Sequence, residues 1–178
     1  MAELDLESLI TDIPDYPQPG VVFKDITTLL NDPEGFRSAV QRIAARFEGK
    51  GITKVVGSEA RGFIIGAPVA YALGAGFVPC RKPGKLPRKV RSVSYQLEYG
   101  TDELEMHVDG LAPGDKVLIV DDLIATGGTA VAQAQLILEA GSELAGYAFL
   151  MELAFLEPRK ILSKATEGVE VFSLVQVN

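Results

Sequence analysis

The sequence predicts an α/β fold, a mostly parallel, twisted sheet flanked by helices. Two observations predict it. Runs of strand-forming residues alternate with helical stretches along the chain, and those runs are too apolar to leave one face of a sheet in water. In such a sheet ligands bind at the carboxyl ends of the strands.

Residues 13–25 hold three prolines ahead of a short apolar stretch, which reads as an ordered extended element before the first long helix, Pro33–Phe47. Strands follow at 53–56, 77–80, 117–120 and 145–151, and a fifth at 169–177 closes the sequence. Between them the pattern predicts helices at 62–73 and 129–140. Gly141 stands where a left-handed cap ends the last of these. Residues 88–109 alternate as strands do around Gly100-Thr101-Asp102 and read as a hairpin. There is no internal repeat, low-complexity tract or linker, so residues 1–178 read as a single domain.

Size and composition agree. A chain of 178 residues buries about 70% of its unfolded surface without disulfides or a structural metal. It is 47% hydrophobic and 23% charged, as compact proteins are. The lone Cys80 cannot form an intrachain bridge or a zinc site, so it reads as a packed thiol in a reducing, cytoplasmic setting. Residues 63–80 carry no charge and approach the ~20 residues of a membrane span. Gly66, Pro68, Gly74, Gly76 and Pro79 interrupt them, however, and they read as a buried helix, a turn and a buried strand. The first residues are acidic where a targeting peptide would be basic. Neither a membrane nor a targeting signal is expected.

The net charge of −7 argues against non-specific nucleic-acid binding. One stretch departs from it. Arg81, Lys82, Lys85, Arg88, Lys89 and Arg91 form a cationic island with no acid from Arg81 until Glu98, suited to a phosphorylated metabolite or to a merely solvated loop.

Residues 117–129 carry the chemistry. They run from a buried strand through Asp121 and Asp122 into a turn of small residues, Ala125, Thr126, Gly127, Gly128 and Thr129, that opens a helix. Backbone N–H groups, two hydroxyls and the helix dipole converge there, which suits a phosphate. Two adjacent carboxylates at a strand end suit vicinal ribose hydroxyls, or Mg²⁺ held directly or through water. A helix cap and a tight turn are the bland alternatives. The Walker pattern is absent, and no G-x-G-x-x-G follows any strand.

This stretch resembles the phosphoribosyl-diphosphate (PRPP) motif of the phosphoribosyltransferases. Residues 19–26, Ser58-Glu59-Ala60-Arg61-Gly62-Phe63, residues 81–87 and residues 95–105 resemble the adenine phosphoribosyltransferases, in that family's order. The resemblance runs from about Ile13 to the end.

It implies the phosphoribosyltransferase fold, with a small base-binding hood over residues 1–32 and a mobile catalytic hairpin over 88–109. It also implies the reaction of adenine with PRPP to give AMP and diphosphate, with Mg²⁺ on the diphosphate, in a homodimer. By the same resemblance Ala60, Arg61 and Gly62 form the diphosphate loop, with Arg61 on the base or the diphosphate. Arg81, Lys82 and Lys85 contact the diphosphate, and one of these three reaches the neighbouring site. Glu98, accompanied by Tyr99, approaches adenine N7 and acts with Asp121, Asp122 and Arg61 in catalysis. Main-chain groups of Val22 and Lys24 complement the donor and acceptor edge of adenine, and Phe23 stacks on the purine. His107 reads as an ordinary strand residue near the hairpin base.

Two other readings remain. A 6-oxopurine or orotate enzyme would keep the PRPP site but is expected to carry base-recognition elements where this chain has residues 156–160. A PRPP sensor without turnover would carry a nucleic-acid module, for which residues 1–12 are too short and too acidic.

Overall fold

A computed structural model describes residues 4–97 and 100–178. Five strands form one parallel sheet: β3 (Lys54–Ser58), β4 (Gly76–Cys80), β7 (Lys116–Ile124), β8 (Glu143–Leu153) and β9 (Val171–Val177). Across the sheet they lie in the order β4-β3-β7-β8-β9. The chain steps from β3 outward to β4, then returns to build β7 on the other side of β3. That reversal opens a crevice at the carboxyl ends of β3 and β7.

Period-two alternation loads both faces of the sheet. Val55, Leu118, Val120, Ala148 and Leu150 pack beneath α2 (Pro33–Phe47) and α3 (Arg61–Leu73), against Ile43, Phe47, Ile65 and Val69. Val56, Val117, Ile119, Tyr147 and Phe149 face α4 (Gly128–Glu139), against Leu136 and Ile137. The expected alternation and layering are therefore observed. β7 and β8 run past their predicted ends because the ladder between them continues through Asp121↔Phe149 and Ile124↔Glu152, while β9 begins at Val171, two residues later than predicted. Gly141 takes φ +76 after α4, as expected.

Local chemistry explains the entry to α2. The Asp32 carboxylate accepts the Gly35 N–H at 2.7 Å, and Pro33 sits at the first helical position, where no hydrogen bond is lost. Before it, the extended element is a small antiparallel pair, β1 (Thr11–Pro14) with β2 (Val22–Asp25), followed by α1 (Thr27–Asn31). Buried Leu6, Ile26 and Leu29 tie this hood to the α2 face.

The hairpin is present as β5 (Val90–Leu97) and β6 (Gly100–His107), but not in the expected register. Gly100, Thr101 and Asp102 belong to β6 and pair with Leu97, Gln96 and Tyr95. The apolar face decides this, because the observed register sets Val93 opposite Leu104, whereas a turn centred on Thr101 would oppose Val93 with Asp109. Val93, Leu104 and Met106 are buried in the core on the α4 side, so this part of 88–109 is built into the molecule. His107 is the last residue of β6, as expected, paired with Val90.

An additional helix, α5 (Pro158–Ala165), precedes β9. Its Arg159 is clamped by buried Glu152 at 2.8 Å and donates to the Val171 carbonyl at 3.0 Å, while Ser173 donates to the same carboxylate at 2.7 Å.

Candidate active site

Two loop-to-helix turns meet at the crevice. After β3 the chain passes Glu59 and Ala60, joined by a cis peptide bond, and enters α3 at Arg61. After β7 it passes residues 125–127 and enters α4 at Gly128. Gly127 caps α4 at φ +92, a backbone conformation that favours glycine. No side chain caps either helix, so their N-terminal N–H groups are free of side-chain acceptors. A cavity of about 150 Å³ is lined by Asp121, Leu123, Ile124, residues 125–130 and Phe149. It adjoins a second, of about 270 Å³, through Asp121, Leu123 and Thr129, which line both. A larger cavity of about 540 Å³ lies between the far ends of α2 and α3, but holds neither a carboxylate pair nor a helix N-terminus.

Asp121 and Asp122 lie inside β7 and not at its end, a correction to the sequence reading that follows from the long β7–β8 ladder. Consecutive strand residues point to opposite faces, so the pair divides. Asp121 follows Ile119 onto the α4 side. There the Ser58 hydroxyl and the Asp122 N–H, at 2.9 Å, both donate to it. Burial and the neighbouring charge of Asp122 push its carboxyl up to about 8, with the Ser58 hydrogen bond opposing the shift. Asp122 is 5% exposed, and its Oδ2 lies 2.8 Å from Arg61 Nε. That contact is an ion pair without hydrogen-bond alignment, and the oxygen has no hydrogen-bond partner among the described residues.

Gly62 is required by the same arrangement. A Cβ there would stand 2.5 Å from Asp121 Oδ1.

The cationic island is not a row of free charges. Glu59 accepts Arg81 Nε and Nη2 at 2.9 and 2.8 Å and the Lys82 N–H at 2.7 Å. Those contacts, the Lys82 N–H foremost, hold its carboxyl below the usual range. Lys82 pairs with Asp102, and Arg88 with Asp109. Arg91 donates to the Glu139 carbonyl at 3.2 Å. Lys85 is exposed in the same loop.

Of the expected site residues, the structure gathers Ala60, Arg61, Lys82, Asp121, Asp122 and Thr129 around the 270 Å³ cavity, and Ala125 to Thr129 around its neighbour. Val22, Phe23 and Lys24 stand apart in β2 and line neither. Phe23 packs edge-on against Tyr16 at 5.3 Å, and Lys24 pairs with Asp12 at 2.6 Å. Glu98 and Tyr99 lie outside the described residues.

Six further residues line the cavity of about 270 Å³, Ser58, Glu59, Tyr95, Asp102, Leu104 and Leu123; the motifs at 58–63 and 95–105 contain five of them, but the sequence reading gave none a side-chain role in the site. Tyr95 and Asp102 face each other across the hairpin only in its true register. Cys80 is buried, its thiol pushed up to about 12 by burial and the Asp121 charge, as a packed thiol should be. Residues 63–80 divide between α3 and β4 as expected, and no described helix is long and apolar enough to cross a membrane.

Comparison with known proteins gives this geometry its context. The phosphoribosyl transferase domain model matches residues 26–175. The adenine phosphoribosyltransferase of Desulfitobacterium hafniense is 56% identical over 176 residues, covering 99% of each chain. Among solved structures, adenine phosphoribosyltransferase from Thermoanaerobacter pseudethanolicus superposes with a TM-score of 0.90 at 46% identity, over 97% of this chain and 98% of that one. The Saccharomyces cerevisiae enzyme, complexed with adenine and an iminoaltritol bisphosphate, gives 0.88 at 37%, over 95% and 96%. With two loop-to-helix turns at one crevice and likeness along nearly its whole length, the chain belongs to the phosphoribosyltransferase family, in its adenine phosphoribosyltransferase branch.

Proposed function

We propose that the protein transfers the 5-phosphoribosyl group of PRPP to adenine, giving AMP and diphosphate. The observation that carries this is the pair of anion turns on neighbouring strands with Asp122 between them, in a chain 56% identical to an adenine phosphoribosyltransferase. In this reading residues 125–129 hold the 5-phosphate, and Asp121 and Asp122 face the ribose. The N–H groups of 60–62, with Arg61, Arg81, Lys82 and Lys85, receive the diphosphate.

The bond from the anomeric carbon to diphosphate breaks, its electron pair leaving with the diphosphate, and adenine N9 bonds to the opposite face with loss of its proton. Positive charge builds on the ribose as diphosphate leaves. The site therefore needs anions near the sugar, cations around the leaving group and little free water. Mg²⁺ on the diphosphate neutralises part of its charge. Asp122 Oδ2, buried without a hydrogen bond, fits a water-bridged contact to such an ion. No three metal-binding side chains cluster among the described residues, which favours a cation that arrives with the diphosphate.

Val22 and Lys24, two apart in a strand, direct their backbone groups to one edge, which suits the N1 and N6 side of adenine. Arg159, in the segment where a 6-oxopurine enzyme is expected to read its base, is spent on Glu152. The end of the hairpin closes over the loaded site with Glu98 near N7. Residues Ile64 and Tyr71, 44% and 89% exposed on α3, offer an apolar face for a second copy, as the implied homodimer needs. The setting is cytoplasmic.

The test offers adenine, hypoxanthine, guanine, xanthine and orotate in parallel with PRPP and Mg²⁺, beside a control without base. AMP from adenine alone is expected, and product from another base would discard the assignment of 22–24. Glu98→Ala is expected to lower turnover about 10²-fold or more with PRPP binding nearly intact.

A further inference from the structure

We propose that Asp102 is a positioning residue that competes with the diphosphate for Lys82, holding that cation while the donor is absent and reclaiming it as diphosphate departs. This rests on Lys82 being a diphosphate contact in the reading above.

Lys82 follows β4 and Asp102 lies in β6, and both line the 270 Å³ cavity with Tyr95 and Thr129. The two residues differ in freedom. Asp102 Oδ1 accepts the Glu103 N–H at 2.9 Å, and Oδ2 accepts the Tyr95 hydroxyl at 3.2 Å together with Lys82 Nζ. Asp102 is thus held on a paired strand by two contacts, Glu103 and Tyr95, that do not depend on Lys82. Lys82 carries its ammonium on a flexible stem and is 46% exposed, against 22% for Asp102. Their contact holds the Asp102 carboxyl below its ordinary value and the Lys82 ammonium above its own, so both stay charged near neutral pH.

A diphosphate entering the cavity meets a choice of two costs. Either Lys82 leaves Asp102, or two anions share one ammonium and repel each other. Both weaken diphosphate binding relative to a site without the Asp102 charge, and both favour its release. Arg81 is a different case. Glu59 holds two of its nitrogens, and the third donates to the Lys85 carbonyl at 3.1 Å, which makes it a fixed part of the loop. Lys82 is therefore the exchangeable cation. The Thr129 hydroxyl donates to Tyr95 at 3.3 Å, so the same line of contacts reaches the phosphate turn.

The probe is inorganic pyrophosphate, titrated calorimetrically with Mg²⁺ into the full chain at low ionic strength. Asp102→Asn removes the charge and keeps one acceptor, for the Glu103 N–H, while its amide NH2 can donate to the Tyr95 oxygen. It is expected to bind pyrophosphate roughly two- to fivefold more tightly, the range that partly exposed ion pairs support, with the gain shrinking in high salt. Pre-steady-state release of diphosphate should slow by a similar factor, and KM for PRPP should fall. Lys82→Met should bind more weakly, and the double variant should bind more weakly than Asp102→Asn alone, because the freed cation is then missing. A merely structural Asp102 would not tighten binding at all.

Pyrophosphate binding by Asp102→Asn that equals or falls below the wild type overturns the proposal, as does Asp102→Asn binding no tighter with Lys82 than with Met in its place. Should Asp102→Asn fail to fold, Asp102→Ser is read by the same criteria. Wild-type protein that binds no pyrophosphate, with Lys82→Met unchanged, instead removes the diphosphate reading of this loop, and the proposal with it.

Discussion

Asp121 is the residue on which the site's interior turns. Its carboxyl sits between the Ser58 hydroxyl, the Asp122 N–H and the α-carbon of Gly62, with no room for a methyl group at position 62. Gly62→Ala is therefore expected to displace Asp121, costing about 1–3 kcal/mol of stability by overpacking and tenfold or more in kcat/KM, read from thermal melts and initial rates. Wild-type kinetics in that variant would show that the close approach has no consequence. The raised Asp121 carboxyl also has a sign for stability. Folding favours its protonated form, so its stabilisation is complete below the ordinary carboxyl value of 3.8 and is lost as pH rises toward about 8. Relative to Asp121→Asn, the wild type should lose melting temperature steadily from pH 4 to pH 8, and parallel curves would show that Asp121 titrates as a solvated acid does. At this scale the sequence was half legible. The order strand, two acids, small-residue turn marks Asp121 to Thr129 because that order is itself local geometry. The partners of Arg61, Arg81 and Lys82 come from three separate strands or turns, and no spacing along the chain reveals them.

Among the elements, the hairpin repays most attention. In its stem, Val93, Leu104 and Met106 belong to the core. Leu104→Ala should cost about 2–4 kcal/mol, as deletion at a fully buried site does. Replacing residues 96–101 by a two-residue Asn-Gly turn should leave the melting temperature within a few degrees and reduce AMP formation about 10²-fold or more. Loss of folding in the shortened protein would mean that the end, and not the stem, holds the hairpin in place. The alternation of Val93, Tyr95, Leu104 and Met106 announced two strands, yet their register was misread. Gly100-Thr101-Asp102 has turn chemistry, and pairing of Val93 with Leu104 overrides it. Helix α5 went unseen for a related reason. Pro158, Ile161, Leu162 and Ala165 do fall at helical spacing, but eight residues hold barely one repeat of that pattern, and the helix leans on the Glu152–Arg159 clamp.

For the whole molecule, layers were legible and order was not. Alternating apolar strands and helices require a covered parallel sheet, but the order β4-β3-β7-β8-β9 depends on where each crossover lands. The proposed homodimer is tested at this scale. Light scattering should return twice the 19.1 kDa chain mass, and Tyr71→Glu should lower it while leaving the fold intact. A wild-type mass of one chain would remove the dimer.

The adjacency of β3 and β7 carries a last consequence. Both anion turns hang from neighbouring strands, whose ~4.8 Å separation is set by backbone hydrogen bonds. The sheet is thus a gauge of ligand length, and no single side-chain change can recalibrate it. In the proposed reading a new acceptor base would be read at the hood, while the spacing of the two turns stays as the backbone sets it.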